Sequence, residues 1–118
     1  MSKIQLSPYI NFQGRAREAM EFYHKLLGGK LDRQALRLEA DGAVIIASDG
    51  HPNYPPTVGD NTAVALGGTD KARLTTIFNG LAEGGRIKGA LTEQPRGACV
   101  GYVLDKFGIN WVVSIEKA

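Results

Sequence analysis

A chain of 118 residues, 43% hydrophobic and 22% charged, has room for one sizeable core and lacks the bias of a disordered segment. Its net charge of +2 is spread along the chain, which argues against nucleic-acid or anionic-membrane partners, and no apolar run approaches the ~20 residues of a membrane span. With no apolar signal core at the N-terminus and one cysteine, Cys99, a cytoplasmic location is expected. Residues 4–12 alternate Ile4, Leu6, Ile10 and Phe12 with polar positions, the period of a strand, and Pro8 marks it as an edge or an irregularity. Across residues 15–27, Ala16, Ala19, Met20, Tyr23, Leu26 and Leu27 form a helical stripe that Gly28 and Gly29 terminate. Residues 30–40 and 43–48 read as strands joined by Asp41-Gly42, the signature of a type I′ hairpin turn. Pairing outward from that turn sets Glu39 opposite Val44, Leu38 opposite Ile45 and Arg37 opposite Ile46. Leu36, Leu38, Ile45 and Ala47 then share one face, while Arg37, Glu39, Val44 and Ile46 share the other.

Residues 49–60, with three prolines and two glycines, form a linker that also carries His51, Asn53 and Tyr54. Beyond it a strand is expected over 62–66 and a helix over 71–83, capped by Thr69 or Asp70. Its stripe is Leu74, Ile77, Phe78, Leu81 and Ala82. A strand over 86–93 follows, then a hairpin of residues 98–104 and 109–115 around Asp105-Lys106-Phe107-Gly108. A four-residue turn there would set Trp111 opposite Tyr102, Val112 opposite Gly101 and Ser114 opposite Cys99. Tyr102 and Trp111 would lie under the helix, with Cys99, Val112 and Ser114 on the opposite face.

The two halves echo each other. F-Y-H-K-L-L-G-G-K-L, starting at Phe22, returns as F-N-G-L-A-E-G-G-R-I, starting at Phe78. The literal match has an offset of 56, but the apolar stripes match at 55, and burial fixes helix register more firmly than letters do. Each half reads as strand, helix and two or three strands, a duplicated βαβββ pattern of α+β class. One domain spans 1–118, with a first module over about 3–49, the linker at 50–60, and a second module over about 61–116.

Three stretches carry a resemblance: L-S-P-Y-I-N-F from Leu6, E-A-M-E-F-Y-H-K-L-L-G-G from Glu18 and D-K-F-G-I-N-W-V-V from Asp105. They resemble the vicinal oxygen chelate superfamily of glyoxalases, bleomycin-resistance proteins and dioxygenases, nearest its PhnB-like branch. The resemblance implies mixed sheets curled into half-barrels with helices on the outer face, a homodimer, and a ligand held in the concave sheets. Metal-using members place a His, Gln or Glu ligand on the first and last strand of each module. Those positions fall here on Pro8, Ile46, Ala63 and Val112, and their neighbours are Ser7, Tyr9, Ile45, Ala47, Thr62, Val64, Trp111 and Val113. None is a carboxylate, imidazole or thiolate, so no metal and no other cofactor is expected. The chain is also short between Leu31 and Asp41, where relatives carry a longer loop.

The expected ligand wall is mostly apolar, with Ile10, Val44, Ile46, Ala63 and Val112 on it and Arg37, Glu39, Cys99, Asn110 and Ser114 as its few polar handles. Arg37 would suit an anionic group. His24, on the solvent side of its helix, and His51, in the linker, have no motif joining them to Cys99 as nucleophile and base, and no catalytic residue is assigned. The leading expectation is a metal-independent, homodimeric small-molecule binding protein. Its rivals are a divalent-metal lyase, isomerase or dioxygenase of the same superfamily, and an interaction module whose cavity is filled.

Overall fold

A computed structural model describes residues 4–117. The chain divides into two compact units between Thr57 and Val58. Among the described residues no helix is long and apolar enough to cross a membrane.

The first unit holds β1 (Tyr9–Asn11), α1 (Ala16–Leu27), β2 (Lys30–Asp32), β3 (Arg37–Ala40) and β4 (Ala43–Ser48). Its sheet order is β1-β4-β3-β2, with β1 parallel to β4 and the other neighbours antiparallel. The β3–β4 turn is the expected one, with Asp41 at φ 50° and Gly42 at φ 81°, and the pairing of Glu39, Leu38 and Arg37 with Val44, Ile45 and Ile46 follows. Residues 30–40, in contrast, are two strands. Asp32 Oδ1 accepts from the backbone N–H groups of Gln34 and Ala35, both at 3.0 Å, and Leu36 takes φ 52°, so the chain folds back and β2 pairs with β3.

The first strand is shorter than its alternation suggests. Only Tyr9–Asn11 pairs, and Ile4 and Leu6 stand 84% and 100% exposed. Pro8 has no N–H to give a ladder, but its carbonyl accepts from Ile46 N–H at 3.0 Å. That bond sets Tyr9 level with Ile46 and Ile10 level with Ala47, on the helix side. The expectation that Ile10 lines the ligand face is therefore corrected, because a one-residue slip turns every side chain of a strand over. The core is the stripe of α1, namely Ala16, Ala19, Met20, Tyr23 and Leu27, packed with Phe12, Leu38, Ile45 and Ala47. Leu26 is half-buried.

The second unit holds β5 (Val64–Gly68), α2 (Lys71–Ala82), β6 (Arg86–Glu93), β7 (Cys99–Leu104) and β8 (Asn110–Ile115). Its order, β5-β8-β7-β6, again has one parallel pair, β5 with β8. Asp70 caps α2 by accepting from Arg73 N–H at 3.1 Å. Leu74, Ile77, Phe78 and Leu81 are buried with Val103, Trp111, Val113 and Ile115. Strand β5 begins at Val64, not at 62.

The closing hairpin departs from expectation by one residue. Five residues, not four, separate β7 from β8, so Tyr102 pairs with Val112, Val103 with Trp111, Val100 with Ser114 and Cys99 with Ile115. Gly108 donates to the Asp105 carbonyl and takes φ 82°, while Asp105 N–H donates to the Ile109 carbonyl, a type I turn followed by a glycine bulge. Cys99 therefore joins Trp111, Val113 and Ile115 on the helix side, away from Ser114. Tyr102 moves to the open side and is 52% exposed. Each unit is thus an open four-stranded mixed sheet with a helix on one face. This is the α+β architecture of two βαβββ modules that the sequence implies.

Candidate ligand clefts on the open sheet faces

Each helix covers one face of its sheet and leaves the other face without a helix. In the first unit the open face carries Tyr9 level with Ile46, Ile46 level with Arg37, Val44 level with Glu39, and Glu39 level with Lys30. Arg37 and Glu39 are two apart on β3, so both rise on this side, and Arg37 Nε lies 3.7 Å from Glu39 Oε1. An exposed pair of this kind adds little stability. Its consequence is electrostatic, since the guanidinium already faces a carboxylate. A cleft of ≈ 360 Å³ opens here, lined by Gln5, Lys30, Arg37, Glu39, Asp41 and Val44 among others.

The open face of the second unit carries Val100, Tyr102, Val112 and Ser114, with Ala65 beside Val112 and Gly67 beside Ser114. Ser114 Oγ donates to the Glu116 carboxylate. A cleft of ≈ 340 Å³ lies at the hairpin end, where Thr62, Ala63, Lys88, Tyr102 and Asn110 contribute to its lining. Lys88 owes its place to a bulge. β6 pairs Ile87 with Val103 and then Gly89 with Tyr102, leaving Lys88 as the extra residue. Lys88 Nζ donates to Asn110 Oδ1 at 3.1 Å. Gly89 leaves room for the neighbouring ring, because a Cβ there would lie 3.0 Å from Tyr102 Cδ2.

The expected site residues thus separate. Arg37 and Glu39 come together in one cleft, and Ala63 and Asn110 in the other. Ile46, Val112 and Ser114 lie on open faces outside both clefts, while Ile10 and Cys99 lie on helix faces. Neither histidine lines either of these two clefts. His24 Nε2 is 3.1 Å from the Gly29 carbonyl, and His51 Nδ1 accepts from Asn53 N–H at 3.1 Å. Lys88 and Tyr102 were not anticipated as site residues. The readable signal was Gly89, since an interior strand glycine marks a bulge or a close approach.

The metal positions implied by the resemblance can be tested against this register. On the open faces Tyr9 is level with Ile46, Asn11 with Ser48, Ala65 with Val112 and Gly67 with Ser114, so the rows where first and last strands meet offer a phenol, an amide, two hydroxyls and three aliphatic side chains. Among the described residues no group of three or more His, Cys, Asp or Glu side chains is placed to hold an ion. The donor set of each sheet does not fit a divalent metal.

The fold and both faces can be set beside known proteins. A structure of protein PA1353 from Pseudomonas aeruginosa is 32% identical and superposes with a TM-score of 0.89, covering 98% of this chain and 100% of that one. The PhnB protein of Bacillus cereus shares the fold with a TM-score of 0.73 at 21% identity, covering 98% of this chain and 100% of its own. Protein YjdN of Escherichia coli K12 is 25% identical across 95% of each chain. The family model for the Glyoxalase/Bleomycin resistance protein/Dioxygenase superfamily matches residues 9–113. The chain belongs to that superfamily.

Proposed function

We propose that this protein binds a small organic molecule against its open sheet faces without a metal ion, and that it works as a homodimer in the cytoplasm. The observation that carries the reading is the lining of those faces. Where first and last strands meet, Tyr9, Ile46, Ala65 and Val112 present a ring and aliphatic groups, flanked by Asn11, Ser48 and Ser114 and, in the first unit, by Lys30, Arg37 and Glu39. An apolar patch flanked by polar groups suits an organic ligand. The dimer is supported by Ile4, Leu6 and Tyr9, large apolar side chains left exposed near the N-terminus of the first unit.

The test pairs elemental analysis of purified protein with a thermal-shift screen against metabolites and antibiotics. The expected result is stabilisation by at least one organic compound, no stoichiometric metal, and a dimer by light scattering. One divalent ion per subunit, with glyoxalase or ring-cleavage activity that needs it, would overturn the reading in favour of a metal-dependent enzyme.

A further inference from the structure

We infer that the cleft at the bulge of β6 is an oxyanion subsite. It takes the carboxylate or phosphonate end of a monoanionic organic ligand on Lys88 and Asn110, with the ligand's apolar body against Tyr102. The inference rests on the small-molecule reading above and names the chemistry of one of its two clefts.

Three observations carry it. The edge strand β6 shifts register twice, between Ile87 and Gly89 and again between Gly89 and Thr92, and the first shift leaves Lys88 beside Asn110. Bulges are built features that re-aim side chains, often beside binding sites. Second, the lysine orients the amide. With Oδ1 accepting from Lys88 Nζ, the Asn110 NH2 is the end left to donate, and Lys88 keeps two further N–H donors. An ammonium and an amide donor side by side match the two oxygens of a carboxylate or the oxygens of a phosphonate. Third, the Tyr102 ring lies over Gly89, half-exposed, and supplies a flat apolar wall beside those donors.

The donor pair of Lys88 and Asn110 separates this cleft from the other. In the first unit Lys30 and Arg37 share the lining with Glu39 and Asp41, and Arg37 lies against Glu39. Lys88 has no ion pair among the described residues. Asp60 is the acidic residue of the second cleft's lining, and its carboxylate disfavours a second negative charge on the ligand. Hence the preference for a monoanion, a carboxylate or a singly ionised phosphonate.

The experiment is a ¹H–¹⁵N NMR titration of the full chain with phenylacetate, phenylphosphonate and the neutral isostere phenylacetamide, following the Asn110 side-chain NH2 and the Tyr102 amide. Wild type should show saturable shifts at both with phenylacetate or phenylphosphonate, and the two arms tell a carboxylate from a phosphonate preference. Lys88→Met should weaken that binding by about tenfold, the worth of one charge-assisted hydrogen bond. Arg37→Met should leave it unchanged, and added salt should weaken it. Equal affinity for phenylacetamide, or undiminished affinity in Lys88→Met, would reduce Lys88 to a solvated surface cation and overturn the inference while the broader reading stood. No saturable shift anywhere, together with an empty metabolite screen, would remove both. Lys88 and Asn110 lie outside the core, so the spectra of Lys88→Met and Asn110→Ala should stay dispersed, and Asn110→Ala should lose the anion response without losing the fold.

Discussion

The indole N–H of Trp111 donates to Asp105 Oδ2 at 2.9 Å inside the core of the second unit, where the tryptophan is 1% and the aspartate 2% exposed. The other carboxylate oxygen accepts from Phe107 N–H at 2.8 Å and Ile109 N–H at 3.0 Å. One buried side chain therefore closes the turn and anchors the largest ring of the core. Asp105→Ala would strand three donors and should cost about 3 kcal/mol, with Asp105→Asn losing less because it keeps an acceptor. Urea unfolding followed by Trp111 fluorescence would measure both. A loss below that of an ordinary surface substitution would show that the carboxylate does not organise the hairpin.

The same contact explains where sequence reading stopped. Alternation over residues 98–115 was plain, and both strands were found. Nothing in D-K-F-G said whether Ile109 belonged to the turn or to the strand, and only Asp105 reaching two backbone N–H groups and the indole decided it. That single residue exchanged Tyr102 for Cys99 on the open face, since strand faces have a period of two. At the other hairpin, Asp41-Gly42 carries its register in its own backbone preferences, and the pairing of Arg37 with Ile46 was legible from sequence.

The glycine pairs of the echo have a job beyond ending helices. A Cβ on Gly29 would fall 2.0 Å from the Glu39 carbonyl, and one on Gly85 would fall 2.1 Å from the Leu104 carbonyl. In both units the second glycine lets the chain leaving the helix press against the neighbouring strand. Gly28, at φ 73°, has open space where its Cβ would be. Gly29→Ala and Gly85→Ala should each cost about 3 kcal/mol, against about 1 kcal/mol for Gly28→Ala. Equal losses at all three positions, measured in urea, would refute the close-approach account.

Arg33, in the β2–β3 turn, grips Glu21 of α1 with two N–H groups, Nε at 2.5 Å and Nη2 at 3.0 Å. The hydrogen bonds from Arg33 hold the Glu21 carboxyl below its ordinary value, and the same bonds raise the guanidinium. A depressed carboxyl stabilises the fold above its unfolded value of ~4.3 and loses that contribution as pH falls through the lower folded value. Both groups are exposed, so the effect on stability is small. Carbon-detected NMR titration should find the Glu21 midpoint below the ordinary carboxylate range, and Arg33→Gln should move it up. An unmoved midpoint would mean that the pair does not persist in solution.

Much less of the site than of the fold could be read from residues alone. Arg37 and Glu39 were legible as a pair because they alternate with leucines beside a turn of known geometry. Lys88 was not, because a bulge breaks the alternation on which facing arguments depend. Ile10 was misplaced for a related reason. A parallel neighbour far along the chain, β4, sets its face, and Pro8 obscures the local ladder that would show it.

The N-terminus of α1 shows a further long-range dependence. Arg15 at its cap position makes no side-chain capping bond, and instead Asp49, just past β4, accepts from the N–H groups of Gly14 and Ala16, both at 2.8 Å. A carboxylate there also meets the positive end of the helix dipole. The cap is thus delivered by the far strand, and it ties the start of α1 to the end of β4. Asp49→Ala should cost about 1–2 kcal/mol, while Asp49→Asn, which keeps an acceptor oxygen, should recover part of it. Hydrogen exchange separates this from a general loss of stability. In Asp49→Ala the Gly14 and Ala16 amides should exchange faster than the fall in global stability requires, whereas amides in α2 should track that fall alone. Uniform acceleration would instead mean that Asp49 acts on the fold as a whole and caps nothing.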